Sequence, residues 1–275
     1  KLANKGFTPR LIRAMEPRVQ TITQGLLKTL KKQTEADLVP TLSVPLPIIV
    51  IAEMLGIELA RQADFKRWSD SLVQSLNHPT DEAVRAEIRQ SITEFRTYME
   101  HMIQKRRTEP GDDLITAFVQ AEEERQTLSS IEILGLTVLL LAAGNETTTN
   151  LIGNAVLALL THPEELAKVR ADRASVSALV EEVLRYDSPV QVVYRQATQE
   201  IELAGGKVPA GATVLVLLGA ANRDERKFPD PDRFEVARNP PDHVGFGYGI
   251  HYCLGAPLAR LSGRVALDAL LFDCP

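Results

Sequence analysis

Apolar residues recur at helical spacing through most of the first two thirds of the chain. Thr8 followed by Pro9 is a cap-then-proline start, which predicts a helix running toward Lys32. The proline-bearing stretch Pro40 to Pro47 breaks the pattern, and Ile48 to Leu55 is apolar enough for a short buried helix. Two amphipathic patterns follow, Ala60 to Asn77 and Asp81 to Arg107, separated by His78 and Pro79. Trp68, Leu72 and Leu76 fall on one face of the first. Ile131 to Leu160 is the longest apolar segment, long enough to cross a bilayer. Its middle argues otherwise, because Asn145, Glu146, Thr147 and Asn150 would put a polar block at the bilayer centre. A long helix through the core of a soluble protein fits better, with no membrane partner.

After Asp187 the period changes. Val190 to Ala197 and Val214 to Leu218 are rich in β-branched and aliphatic residues and read as strands, with turns at Gly205-Gly206 and Pro209 to Gly211. Phe228 to Pro241 holds four prolines and reads as loop. A helix is expected from Leu254 to Phe272, with apolar residues at Leu254, Leu258, Leu261, Val265 and Leu270. The fold class is mainly α with a small β region. No repeat or linker divides residues 1–275, so a single domain is expected.

Composition narrows the function. Hydrophobic residues are 44% and charged residues 24%, ordinary for a soluble globular protein. A net charge of −5 gives no bulk attraction to nucleic acid or to anionic lipid. The two cysteines, Cys253 and Cys274, form no CxxC pair, so neither a zinc ribbon nor a disulfide framework is expected, and a reducing cytoplasm fits. His78, His101, His162 and His243 have no ligand spacing and read as surface or turn residues.

The chemistry concentrates in Phe246-Gly-Tyr-Gly-Ile-His-Tyr-Cys-Leu-Gly255. A cysteine just ahead of a helix N-terminus meets free N–H groups and the positive end of the helix dipole, which favour its thiolate. Gly247 and Gly249 permit backbone angles that side chains resist, and Phe246 can cover the sulfur. A thiolate is the electron-donating axial ligand that some haem irons use. A second motif, Ala143-Gly-Asn-Glu-Thr-Thr148, interrupts the long apolar helix. Its small residues leave room for a flat ligand, a buried Glu146 must pair or exchange protons, and Thr147 can bond back to the Ala143 carbonyl. A third, Glu182-Val-Leu-Arg185, is by itself an ordinary helical ion pair.

Together and in this order, the three motifs resemble those of the cytochrome P-450 family, the haem-thiolate monooxygenases. The resemblance covers nearly the whole chain. Members are longer at both ends, so it implies a truncated form of that fold. It implies haem b held by Cys253 as iron ligand, with Phe246, Gly247, Ala143 and Gly144 against the cofactor and His251 and Arg195 on its propionates. Glu146 and Thr147 would deliver protons and position O2. Glu182, Arg185 and Arg233 would form a structural network, and Val190 and Val193 would face the substrate. The helix pair around His78 would form a mobile lid. The implied reaction inserts one oxygen atom from O2 into an apolar small molecule, with electrons from a separate ferredoxin-type donor. Arg260 and Arg264, one turn apart, would offer that donor a basic patch. Peroxide-driven members replace the acid–threonine pair, which is kept here. A truncated, non-catalytic haem-binding protein is the alternative.

Overall fold

The computed structural model describes residues 7–32, 34–76, 79–123, 128–203 and 205–274. Asn77, His78 and the side chain of Leu76 lie outside the described residues, as do Lys1 and Pro275. The chain divides into two compact units: residues 1–153 with 254–275, and residues 154–253.

The first unit is helical. Its first helix, α1 (Pro9–Leu30), starts as expected, with the Thr8 hydroxyl accepting from Leu11 N–H. The proline stretch does not break the chain, contrary to expectation. Val39–Ser43 forms a π turn that runs directly into α2 (Pro45–Met54), with Pro45 and Pro47 at its start. A proline there loses no helical hydrogen bond, because the first N–H groups of a helix have no internal acceptor. Next come α3 (Gln62–Leu76) and α4 (Glu82–Thr108), the latter capped by the Asp81 carboxylate on Ala83 and Val84 N–H. Trp68 and Phe65 of α3 are buried against Phe95 of α4. Behind them lie α5 (Leu114–Glu123) and the first part of α6 (Ser130–Thr161). The last helix, α10 (Ala256–Asp273), packs on α1, where Arg264 pairs with Glu16 at 2.6 Å. Of the basic stripe expected of Arg260 and Arg264, Arg264 is thus engaged by a carboxylate.

The second unit takes the end of α6, then α7 (Pro163–Ala171) and α8 (Val176–Tyr186). Strand β1 (Val192–Gln196) pairs antiparallel with β4 (Thr213–Leu217), in a register that sets Val193 opposite Val216 and Arg195 opposite Val214. The expected turn at Gly205-Gly206 lies in a second two-stranded hairpin, β2 (Ile201–Leu203) with β3 (Gly206–Val208). A short helix α9 (Leu218–Ala221) follows, and the chain then runs to Cys253 with only single 3-10 turns.

A left-handed glycine fixes the corner between α2 and α3. Gly56 has φ +68°, and a Cβ there would collide with the Asp113 carboxylate, which accepts from Arg106 Nε at 2.6 Å and from Thr116 N–H at 2.8 Å. Gly25, inside α1, has open space around it. Gly56→Ala is expected to cost about 1–3 kcal/mol, whereas Gly25→Ala should add roughly 0.5–1 kcal/mol. Chemical denaturation of the two variants checks both signs.

Candidate functional site

The candidate residues fall in two places, one in each unit. In the second unit they rest on a buried cation. Glu182 and Arg185 sit one helical turn apart on α8, and both side chains are 0% exposed. Arg185 Nε and Nη2 donate to the two Glu182 oxygens, each at 2.9 Å. The remaining donors reach loop carbonyls: Nη1 to Asn222 (3.1 Å) and Pro231 (2.8 Å), and Nη2 to Arg233 (3.1 Å). A planar guanidinium with five donors suits such a fan of acceptors.

The expected third side chain is corrected. The Arg233 side chain is 60% exposed and contributes only its carbonyl to the knot. Arg238 supplies the second guanidinium instead, with Nε 3.5 Å from Glu182 Oε1. Glu182 also accepts from Glu235 N–H at 2.9 Å.

Two residues that sequence reasoning missed carry the knot toward the cysteine loop. The buried Asn222 donates to Ser188 Oγ (2.8 Å) and to the Leu184 carbonyl (3.3 Å), and its own carbonyl accepts from Val244 N–H at 2.7 Å. His243, expected to be a surface or turn residue, is buried in the loop. Its Nε2 lies 2.9 Å from Glu181, and its Nδ1 accepts from Gly245 N–H at 3.1 Å. A Cβ on Gly245 would stand 2.7 Å from the Leu184 carbonyl, so only glycine lets this loop segment lie against α8. Neither Asn222 nor His243 belongs to a local pattern that would have flagged it. His162 is also structural, with its ring packed between Tyr186 and Phe234.

The loop itself turns on glycines. Gly247 (φ +74°) and Gly249 (φ +65°) are left-handed, and Gly247 N–H donates to Val244 O at 2.8 Å. A short turn, Gly249–His251, follows, and Cys253 N–H closes the loop onto the Phe246 carbonyl at 2.9 Å. Phe246 is half-buried, its ring between those of His243 and Tyr252. Cys253 and His251 are exposed, and so are Tyr248 (87%) and Ile250 (98%). No disulfide joins Cys253 to Cys274, which packs against the core of the first unit. On β1, Val193 and Arg195 share a face because side chains alternate along a strand. Val190 and Val193 are half-buried, and Arg195 is exposed and makes no ion pair among the described residues.

In the first unit, α6 carries the other motif. Thr147 Oγ1 donates to the Ala143 carbonyl at 2.7 Å. Glu146, expected to be buried, is exposed and lines a cleft of about 320 Å³ with Val44, Lys66, Asp70, Val73, Gln74, Asn145 and Thr149. Lys66 and Asp70 pair within it at 2.5 Å. Ala143 is exposed. The space that Gly144 leaves is taken by Ile51 of α2, whose Cδ1 would stand 2.5 Å from an added Cβ. Gly144 thus lets Ile51 of α2 pack closely on this turn. No cluster of three metal-ligating side chains occurs among the described residues.

Comparisons with known proteins identify the family. The cytochrome P-450 family model matches residues 1–274. The cytochrome P-450 monooxygenase PikC of Streptomyces venezuelae is 43% identical over 279 residues, covering 100% of this chain and 65% of that protein. The 6-deoxyerythronolide B hydroxylase of Saccharopolyspora erythraea is 42% identical over 277 residues, covering 100% of this chain and 67% of the hydroxylase. The structure of CYP109E1 from Bacillus megaterium in complex with corticosterone superposes with a TM-score of 0.92 at 42% identity, covering 98% of this chain and 73% of that one. The chain belongs to the cytochrome P-450 family, and it spans about two thirds of the length of the curated relatives it matches. That family binds haem. The donor set here fits one: an exposed thiol at the end of a rigid loop, with His251 and Arg195 exposed and able to meet carboxylates.

Two predictions follow from the knot. Arg185→Ala strands a buried carboxylate and should cost about 3–5 kcal/mol, whereas Arg233→Ala should stay within about 0.5 kcal/mol; urea unfolding separates them. The second concerns Glu165, which is buried and accepts from Lys168 and from Val236 N–H. Burial pushes its carboxyl up, but these bonds outweigh that and hold it below its ordinary value. A depressed carboxylate adds stability above its unfolded pKa, and that stability is lost as pH falls through the lower folded value. Glu165→Gln should therefore destabilise the protein at neutral pH and flatten the fall in melting temperature on acidification below about pH 4.

Proposed function

We propose that this chain holds haem b on Cys253 and, as part of a full-length enzyme, inserts one oxygen atom from O2 into an apolar small molecule. The second oxygen leaves as water, which takes up two electrons and two protons. The observation that carries this reading is the exposed Cys253 thiol on a loop closed by its own N–H onto Phe246. When bound, the haem supplies O2 activation, and a thiolate ligand pushes electron density that favours O–O cleavage.

The chain's own residues then have defined tasks. Phe246, its ring between those of His243 and Tyr252, fixes the start of the loop that carries Cys253. His251 and Arg195 neutralise the propionates through charge-assisted bonds. Val190 and Val193 give the substrate an apolar wall. Thr147 holds a hydroxyl at a point where the helix is locally loosened by its bond to Ala143. Glu146 takes protons from water in the cleft and passes them toward Thr147. Relatives named as a hydroxylase and as a corticosterone complex support oxygenation of an apolar substrate. The electron donor in this reading is a small ferredoxin-type protein, and the compartment is the cytoplasm, as suits a protein with bacterial relatives.

Two substitutions in the full-length, haem-loaded parent test the reading. Cys253→Ser should abolish the thiolate-type spectrum of the reduced, CO-treated protein, and Cys274→Ser should leave it intact. Persistence of that spectrum in Cys253→Ser ends the assignment. Glu146→Gln should slow product formation by on the order of 10²-fold, and Thr147→Ala should divert reducing equivalents to peroxide. Unchanged product per electron in both would remove the proton-delivery role while leaving the haem ligand standing.

A further inference from the structure

The turn of α6 that carries Glu146 is held from outside by two polar bonds that stability alone does not explain. Asn145 is 6% exposed, and its Nδ2 donates to Ser69 Oγ of α3 at 2.9 Å; Ser69 is fully buried. The Asn145 side-chain carbonyl oxygen is buried with no hydrogen-bond partner among the described residues. One helical turn on, Thr149 Oγ1 donates to the Ser43 carbonyl of the π turn at 3.0 Å, and the Ser43 hydroxyl is likewise buried without a partner. Leaving a buried donor or acceptor unsatisfied is costly, and an apolar residue of the same shape would avoid the cost. A half-satisfied polar pair beside the cleft therefore points to a requirement for its geometry.

That requirement is visible in the same turn. The Ala143 carbonyl accepts the Thr147 hydroxyl as well as serving the helix ladder, and such back-bonding loosens and bends a helix. Asn145 and Thr149, four residues apart, lie on one face of α6. Glu146 stands between them in sequence and opens onto the cleft. The segment is loosened within and pinned from outside at both ends.

We infer that Asn145 is a positioning residue: its bond to Ser69 fixes the turn bearing Glu146 and Thr147, so that the placement of α3 governs how well that pair delivers protons. The inference rests on the proton-delivery reading above. Movement of α3 breaks or forms a single bond to the turn, and the turn answers because its own ladder is weakened.

The test uses the full-length, haem-loaded enzyme with Asn145→Leu, Ser69→Ala, the double variant and Ser69→Thr. Asn145→Leu and Ser69→Ala should each lower product per electron consumed about fivefold, the equilibrium effect of losing one such hydrogen bond, with a matching rise in peroxide. Substrate dissociation constant and CO spectrum should not change. The double variant should be no worse than either single one, because both remove the same bond. Ser69→Thr keeps the hydroxyl and should behave as wild type. Hydrogen exchange of the amides from Glu146 to Asn150 should quicken about fivefold in the two single variants and not in Ser69→Thr. Unchanged exchange and unchanged coupling in both overturn the inference, and additive losses in the double variant do the same. Glu146→Gln separates the two ideas: normal coupling in that variant removes proton delivery by Glu146, while exchange still decides whether Asn145 and Ser69 hold the turn.

Discussion

A single guanidinium organises the segment from Asn222 to Cys253, which has almost no regular structure of its own. Arg185 is removed from water together with Glu182, and the desolvation of two charges in a protein interior is expensive. The cost is offset because every direction in which Arg185 donates ends on an acceptor: both Glu182 oxygens and the carbonyls of Asn222, Pro231 and Arg233. Those carbonyls belong to loop residues that no helix or strand ladder would satisfy. The cation thus does for the loop what a ladder does for a strand. Asn222 and His243 extend the arrangement to Val244 and Gly245, and the left-handed Gly247 and Gly249 lead on to Cys253.

The first unit solves a different problem. Its core is apolar and broad, with Trp68, Phe65, Phe95 and Met99 among its fully buried side chains. Polar groups enter that core where α6 needs them, at Asn145, Thr148 and Thr137. The helix is long and apolar enough to cross a membrane by length and composition, yet its mid-section bonds sideways to α3 and to the π turn. Those side-chain bonds tie the mid-section to its own chain, yet only 28% of the helix's most apolar window is buried, less than the core helix expected from the sequence. They also make the region around Glu146 responsive to α3, a property that a wholly apolar packing of the same helices would lack.

Local patterns were legible in the sequence. The helices at Pro9–Leu30, Gln62–Leu76, Glu82–Thr108 and Ser130–Thr161 follow from apolar spacing and from caps at Thr8 and Asp81, because such signals act over a few residues. The strands at Val192–Gln196 and Thr213–Leu217 follow from β-branched runs between turns. The spacing around Cys253 and the acid–threonine pair named a family that the family model over residues 1–274 bears out. The tertiary structure decided what depends on distant partners. Prolines at Pro40, Pro45 and Pro47 read as a break because the adjoining π turn is settled by packing. Arg233 and Arg238 are alike in sequence, and only the path of the loop chose Arg238 for Glu182. Glu146 is exposed and Gly144 is filled by Ile51 because α2 and α3 arrive where they do. His243, Asn222 and Ser69 gained their roles from residues far away in the chain, and no short-range spacing encodes a contact between segments that meet only after folding.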